Sequence, residues 1–231
     1  EQSDYTIKYA NSSIVDYTAY FYDVSGTATR ANNGTTINAR LSLSHTTITA
    51  LAAGFAPEAN TKSITSYAGT VGNEQSDITT KYSGMTPIDY TYYYYGTGNA
   101  NAGATVNTAL RISQTQSTLA RPTAGTANAQ TKSVTTYLGN VGEEQSDMTT
   151  KYAGLTPIDY THYYYGTGKV QAGTSANNAM TMSQTQKTSA RPVAEVITNN
   201  TKSITYYKGD VGLEQSDYTI KYANSSIVDY T

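Results

Sequence analysis

The chain repeats itself, and that repetition constrains its fold more than any single residue does. From Thr61 the sequence reads TKSITSYAGTVGNEQSDITTKYSGMTPIDYTYYYYGTG. From Thr131 it reads TKSVTTYLGNVGEEQSDMTTKYAGLTPIDYTHYYYGTG, a step of 70 residues with most aligned positions identical. A further copy opens at Thr201 as TKSITYYKGDVGLEQSDYTIKYANSSIVDYT. Glu1–Thr18 and Glu214–Thr231 are the same letter for letter, a step of 213 residues. The chain therefore divides into residues 1–60, a partial module whose first part is equivalent to 201–231; two full modules, 61–130 and 131–200; and 201–231, the first part of the next module. Neighbouring modules have diverged while the two ends have not. The chain reads as a window on a polypeptide that repeats every 213 residues.

Within a module the recurring signals are those of strands. Lys62–Tyr67 alternates in period two up to the glycines at 69 and 72, Gln75–Tyr82 follows, and Pro87 opens Ile88–Tyr95. A fourth strand is expected over Thr105–Gln114, with Val106, Thr108, Leu110 and Ile112 on one face, matched by Ala176, Asn178, Met180, Met182 and by Ile37, Ala39, Leu41, Leu43. A fifth, interrupted by Pro122 or Pro192, is expected at an edge. With 23 tyrosines against two phenylalanines, charged residues at 14% and a net charge of −2, the composition favours strands over disorder. The expected fold is all-β: tandem small Ig-like β-sandwich modules of about 70 residues.

The third strand is aromatic on both faces. Tyr93, Tyr163 and Tyr20 align, as do Tyr95, Tyr165 and Tyr22, and these six are the candidates for module packing or an interface. Tyr92 becomes His162 and Ala19, so that position is expected to be loosely constrained and peripheral. The repeated polar signature comprises Lys62, Glu74, Asp77, Lys81 and Asp89, with Lys132, Glu144, Asp147, Lys151 and Asp159 in the next module. Three uses of this set are open: ion pairs that fix register, a calcium site from Glu74, Asp77 and Asp89, or a Lys–Asp isopeptide bond promoted by a Glu. Asn11, Asn33, Asn199 and Asn224 satisfy the Asn-x-Ser/Thr acceptor pattern for glycosylation.

Several classes are disfavoured. There is no cysteine for disulfides or thiolate metal sites, no basic stripe for nucleic acid and no apolar run long enough for a membrane span. His45 and His162 occupy different module positions and no catalytic motif is present, so no enzyme is expected. In module length, strand pattern, absent cysteine and repetition, the whole chain resembles tandem-repeat β-sandwich proteins of extracellular surface fibres, pilus-like filaments and adhesin stalks. That resemblance implies a structural, cell-surface role with the chain itself or its neighbouring modules as partner, covalent glycans, and no cofactor unless calcium. The alternative it leaves is an adhesin stalk or carbohydrate-binding repeat.

Overall fold

The structure, a computed structural model, describes residues 2–10, 12–31, 38–52, 54–174 and 176–231. Among them are seventeen strands and no helix, so the all-β class holds. They fall into two compact units, Glu1–Thr108 with Thr115–Arg121, and Ala109–Gln114 with Pro122–Thr231.

The first unit contains β1 (Tyr5–Ala10), β2 (Ser13–Val24), β3 (Thr27–Arg30), β4 (Leu41–Thr47), β5 (Thr61–Ala68), β6 (Gln75–Ser83), β7 (Thr86–Tyr95) and β8 (Ala100–Asn101). It is an antiparallel meander in which β3 and β8 are short flaps on β2 and β7. The second unit takes Leu110–Gln114 of β9 (Leu110–Gln116) and then β10 (Thr131–Leu138), β11 (Gln145–Ala153), β12 (Thr156–Tyr165), β13 (Val170–Gln171), β14 (Met180–Gln186), β15 (Thr201–Lys208), β16 (Gln215–Ala223) and β17 (Ser226–Tyr230). From β10 onward it is the same meander, with β13 as the flap on β12. A Greek-key crossover of the Ig type is not among these pairings.

Register repeats with the sequence. Ser63↔Lys81, Ser133↔Lys151 and Ser203↔Lys221 are equivalent pairs, and a bulge precedes Tyr67, Tyr137 and Tyr207 alike. The turn after each first strand needs its glycine. Gly69, Gly139 and Gly209 sit at φ +123, +117 and +121, and a Cβ there would lie 2.4–2.5 Å from a carbonyl oxygen four residues on.

In the second unit period two sends His162, Tyr164, Met182, Gln184 and Ile204 to one face, and Thr135, Thr149, Thr161 and Tyr163 to the other. The first face is buried. In the second unit its centre is Tyr164, Met182, Ile204 and Tyr222, with Ala194 packed on from the loop between β14 and β15. In the first unit Ala19 and Phe21 pack with Ala52, from the loop between β4 and β5. The opposite face carries cross-strand hydroxyl pairs: Thr65 with Thr79 at 2.8 Å, Thr135 with Thr149 at 2.7 Å, Thr205 with Thr219 at 2.9 Å.

Three expectations need correction. The fourth strand begins at Leu110 and Met180, because Asn107 and Asn177 adopt φ +50 and +57, which no strand continues through. No fifth strand forms; the segments holding Pro122 and Pro192 are loops. The Tyr92 position is not peripheral: Tyr92, His162 and Ala19 are 1%, 1% and 0% exposed. Its residue varies because what covers it varies: an arginine lies by Tyr92 and His162, and Ala52 packs in the cluster that holds Ala19. Ile37, aligned with this strand, lies outside the described residues.

Ile204 is fully enclosed in the second unit's core, so Ile204→Ala should cost about 2–5 kcal/mol. Urea unfolding followed by circular dichroism checks this, and a loss below 1 kcal/mol would remove the core from that position.

Candidate functional site

The site-like feature of this chain is the junction built by Glu-Gln-Ser-Asp, and each of the four residues has a separate task. The Glu carboxylate accepts the first N–H of a strand 33 or 34 residues earlier: Leu41 to Glu74 at 3.0 Å, Leu110 to Glu144 at 3.1 Å, Met180 to Glu214 at 3.1 Å. The Gln amide bridges the other way. Gln75 accepts from Gly103 N–H at 3.0 Å and donates to the Thr108 carbonyl at 3.2 Å, and Gln145 does the same with Gly173 and Asn178. The Ser carbonyl accepts a tyrosine hydroxyl at 2.9 Å: Tyr22 on Ser3, Tyr95 on Ser76, Tyr165 on Ser146.

The Asp holds an arginine. Arg121 reaches Asp77 at 2.5 Å and lies over the Tyr92 and Tyr94 rings at 4.8 and 5.6 Å. Arg191 likewise pairs with Asp147 and covers Tyr164 at 5.4 Å. In the first module the loop has Leu51-Ala52 where the others have Ala-Arg. The guanidinium comes instead from Arg30 on β3, bidentate to Asp4 at 2.6 Å. Ala52 then packs in the cluster that holds Ala19. Beneath an arginine the buried position is Tyr or His; beneath alanine it is alanine.

Sequence reasoning missed a second set of side chains, which pins the covering loop. Gln114 donates to the Thr126 carbonyl at 2.8 Å and accepts from Gly125 N–H at 3.1 Å; Gln184 does so with Val196 and Glu195. His45 replaces them. Its Nδ1 lies 2.8 Å from the Gly54 carbonyl, which can only accept, so Nδ1 carries the proton and Nε2 accepts from the Thr61 hydroxyl at 2.8 Å. Thr61, Thr131 and Thr201 are buried hubs, each also taking the N–H three residues before it. The available signal was a polar residue at an inward position of an alternating strand.

Members of the proposed charge set meet as lysine–aspartate pairs. Lys62 pairs with Asp16 at 2.8 Å and Lys202 with Asp159, while Lys81 and Lys151 stand opposite Asp89 and Asp159 across a hairpin. Lys132 is exposed on β10. Glu74, Asp77 and Asp89 go to different partners or strands, and no cluster of three or more His, Cys, Asp or Glu suited to a metal occurs among the described residues. An isopeptide bond needs a carboxylic acid beside the Lys–Asp pair to relay protons, and the repeat's Glu caps a strand instead. Ion pairing and register are what this geometry supports.

The six tyrosines have their hydroxyls engaged: Tyr20, Tyr93 and Tyr163 with Thr6, Thr79 and Thr149 at 3.0–3.1 Å, and Tyr22, Tyr95 and Tyr165 as given above. Asn199 and Asn224 are exposed; Asn11 and Asn33 lie outside the described residues. In the second unit a cavity of about 370 Å³ is lined by Glu143, Tyr163, Tyr165, Asn177, Asn178 and Glu214, among others.

No protein-family model matches the chain, and no curated protein is found similar to it.

Burial and the Arg191 charge push the His162 imidazole down to about 4, and neither ring nitrogen has a hydrogen-bond partner among the described residues. The unfolded chain takes up this proton first, near 6.5, so stability is full above that pH and falls as pH drops toward 4, by about 3 kcal/mol in all. His162→Tyr, which copies Tyr92, should abolish this acid sensitivity in urea titrations at graded pH. At the other end, burial raises Tyr163, Tyr164 and Tyr165 above 10.0. The unfolded chain loses those protons first, so stability falls as pH rises past 10. A fraction of the tyrosinate absorbance should lag and then appear together with unfolding; a titration complete in one step at about 10 would refute the burial.

Proposed function

We propose that this chain is a structural segment of an extracellular filament, built from β-modules that follow one another and carry N-linked sugar. The single observation that carries the reading is that hairpin registers and bulges recur unchanged at each repeat step. A module whose strands pair with their neighbours in the meander leaves an edge on which the next can be laid, the logic of linear repeat proteins. The exposed hairpin tips add a lateral contact point at the same repeat position, Met85 and Ile88 in the first unit and Leu155 and Ile158 in the second. The sandwich belongs to this reading at the level of assembly: the half-buried hydroxyl face of a unit becomes one inner face when a second layer is laid on it. Asn199 and Asn224 are the described glycosylation positions, and a sugar coat suits a low-charge, tyrosine-rich surface outside the cell.

A second reading, an adhesin stalk or carbohydrate-binding repeat, is favoured by the cavity lined by Glu143, Asn177, Asn178 and Tyr163, whose amide, carboxylate and ring groups suit sugar hydroxyls and ring faces.

Electron microscopy of native material should show long uniform fibres under the first reading; single flexible threads would speak for a stalk. Glycan-array binding that disappears in Tyr163→Ala and Asn177→Ala would favour the second reading. Mass spectrometry should find native chains heavier by whole sugar units than their polypeptide mass, and a bare mass would remove the glycan.

A further inference from the structure

We propose that Tyr206 and Tyr218 are the site of an oxidative cross-link: a carbon–carbon bond between the two rings, formed by a peroxidase at the expense of hydrogen peroxide, with Glu195 taking the Tyr206 proton. This modification goes beyond the filament reading and does not rest on it.

The starting point is a set of four residues that change together. Tyr206 on β15 stands directly opposite Tyr218 on β16, and the rings stack with centroids 4.7 Å apart and planes 24° from parallel. The Tyr206 hydroxyl donates to Glu195 Oε1 at 3.0 Å. Lys169 Nζ pairs with the same oxygen at 2.6 Å and lies 5.8 Å from the centre of the Tyr206 ring. One module earlier the residues corresponding to Tyr206, Tyr218, Glu195 and Lys169 are Thr136, Met148, Gly125 and Asn99. The register is the same each time, Ser66↔Ile78, Thr136↔Met148, Tyr206↔Tyr218, so the fold does not demand a tyrosine pair.

The backbone takes on strain to bring the carboxylate there. Glu195 adopts φ +65 where the preceding module has Gly125 at φ +71, and each donates its N–H to the glutamine that pins the loop. Lys169 adopts φ +49 where that module has Asn99 at φ +50. Glycine and asparagine enter this left-handed region readily, glutamate and lysine seldom. Two side chains held on unfavourable backbone thus meet each other and Tyr206. Gly125 closes the same loop without a carboxylate, so closing the loop does not account for Glu195.

The arrangement suits one-electron chemistry. Lys169 holds the Glu195 carboxyl below its usual range, so it is ionised at neutral pH. Burial and the Glu195 charge raise Tyr206 above 10.0, so the phenol keeps its proton until it is oxidised. Loss of an electron makes a phenol strongly acidic, and a carboxylate already bonded to the hydroxyl takes the proton as the electron leaves. Tyr218 is oxidised likewise, with its proton going to water. The two radicals join through ring carbons beside the hydroxyls, and the hydrogens on those carbons return to oxygen as aromaticity is restored. The two electrons and two protons withdrawn reduce one hydrogen peroxide to two waters. Residues directly opposite on adjacent strands have Cβ atoms about 4.5–5.5 Å apart, so the bond forms without moving the backbone. The product fastens β15 to β16 by a link that denaturant does not open.

The 231-residue polypeptide, treated with a peroxidase and hydrogen peroxide at a dilution that keeps chains apart, should gain dityrosine fluorescence and lose two hydrogens in mass. Trypsin should then release residues 203–208 joined to residues 209–221, and native chains should yield the same joined pair. Tyr206→Phe and Tyr218→Phe should each abolish it. Tyr207 has its hydroxyl at Ser183 on the opposite face, and Tyr207→Phe should leave the link intact. Glu195→Gln keeps an acceptor but cannot take the proton, and should slow formation by about tenfold or more. Failure of the treated chain to form this pair, with or without dityrosine elsewhere, would overturn the assignment, as would native chains that lack it. A rate indifferent to Glu195→Gln would overturn the role of the carboxylate. Cross-linked native chains that form no fibres would remove the filament reading and leave this one standing; fibres without the cross-link have the opposite meaning.

Discussion

In each unit the meander of antiparallel strands has one face to bury, and among the described residues no second sheet lies on it. In each unit a loop does that work, and a loop can cover a sheet only if its own backbone is satisfied. Gln114, Gln184 and His45 meet that condition by holding the covering loop at a carbonyl, and the two glutamines at an N–H as well. The buried threonines at 61, 131 and 201 hold the place where the loop re-enters the sheet. Burying these polar groups without partners would cost more than the small apolar clusters return, so the hydrophobic core depends on the hydrogen-bonded one.

The same dependence explains how divergent modules keep one register. Arg121 and Arg191 close the loop over aromatic rings and are themselves fixed by Asp77 and Asp147. Where the loop lost its arginine, three things changed together: alanine lies beneath at position 19, Ala52 packs from above, and Arg30 arrives from a different strand to neutralise Asp4. The aspartate keeps its cation while the packing beneath is rebuilt. His162 is the intermediate case, a buried base under an arginine with its nitrogens unpaired among the described residues, which is why acid should find it first.

Much of this was legible in the sequence and some was not, for physical reasons. β5, β6 and β7 match the expected strands to within two residues, because period two and the turn glycines are both local signals. The start of β9 was misread because Val106 and Thr108 continue the alternation in letters, while Asn107 breaks it in conformation. The repeat located Glu-Gln-Ser-Asp but not its tasks, since its partners lie 19 to 44 residues away and are often backbone atoms without a residue-type signature. Tyr92, His162 and Ala19 suggested a tolerant surface position, because variation looks the same in letters whether solvent or a compensating neighbour absorbs it.

That compensation also bears on which repeat can follow which. Equivalent strands at a 70-residue step share register, so pairing alone would let one module's hairpin occupy another's place, a familiar hazard of tandem repeats. The buried face distinguishes them. A β2 strand with Ala19 placed under a loop carrying Arg121 or Arg191 would leave a cavity where Tyr92 or His162 now sits, and Tyr92 under Ala52 would meet a space shaped for alanine. Glu1–Thr18 returns unchanged at the 213-residue step, as Glu214–Thr231. The hydroxyl pairs recur at a step of 70 residues while the packed face differs from module to module, so a slip by one module is penalised where the sheet is most tightly filled.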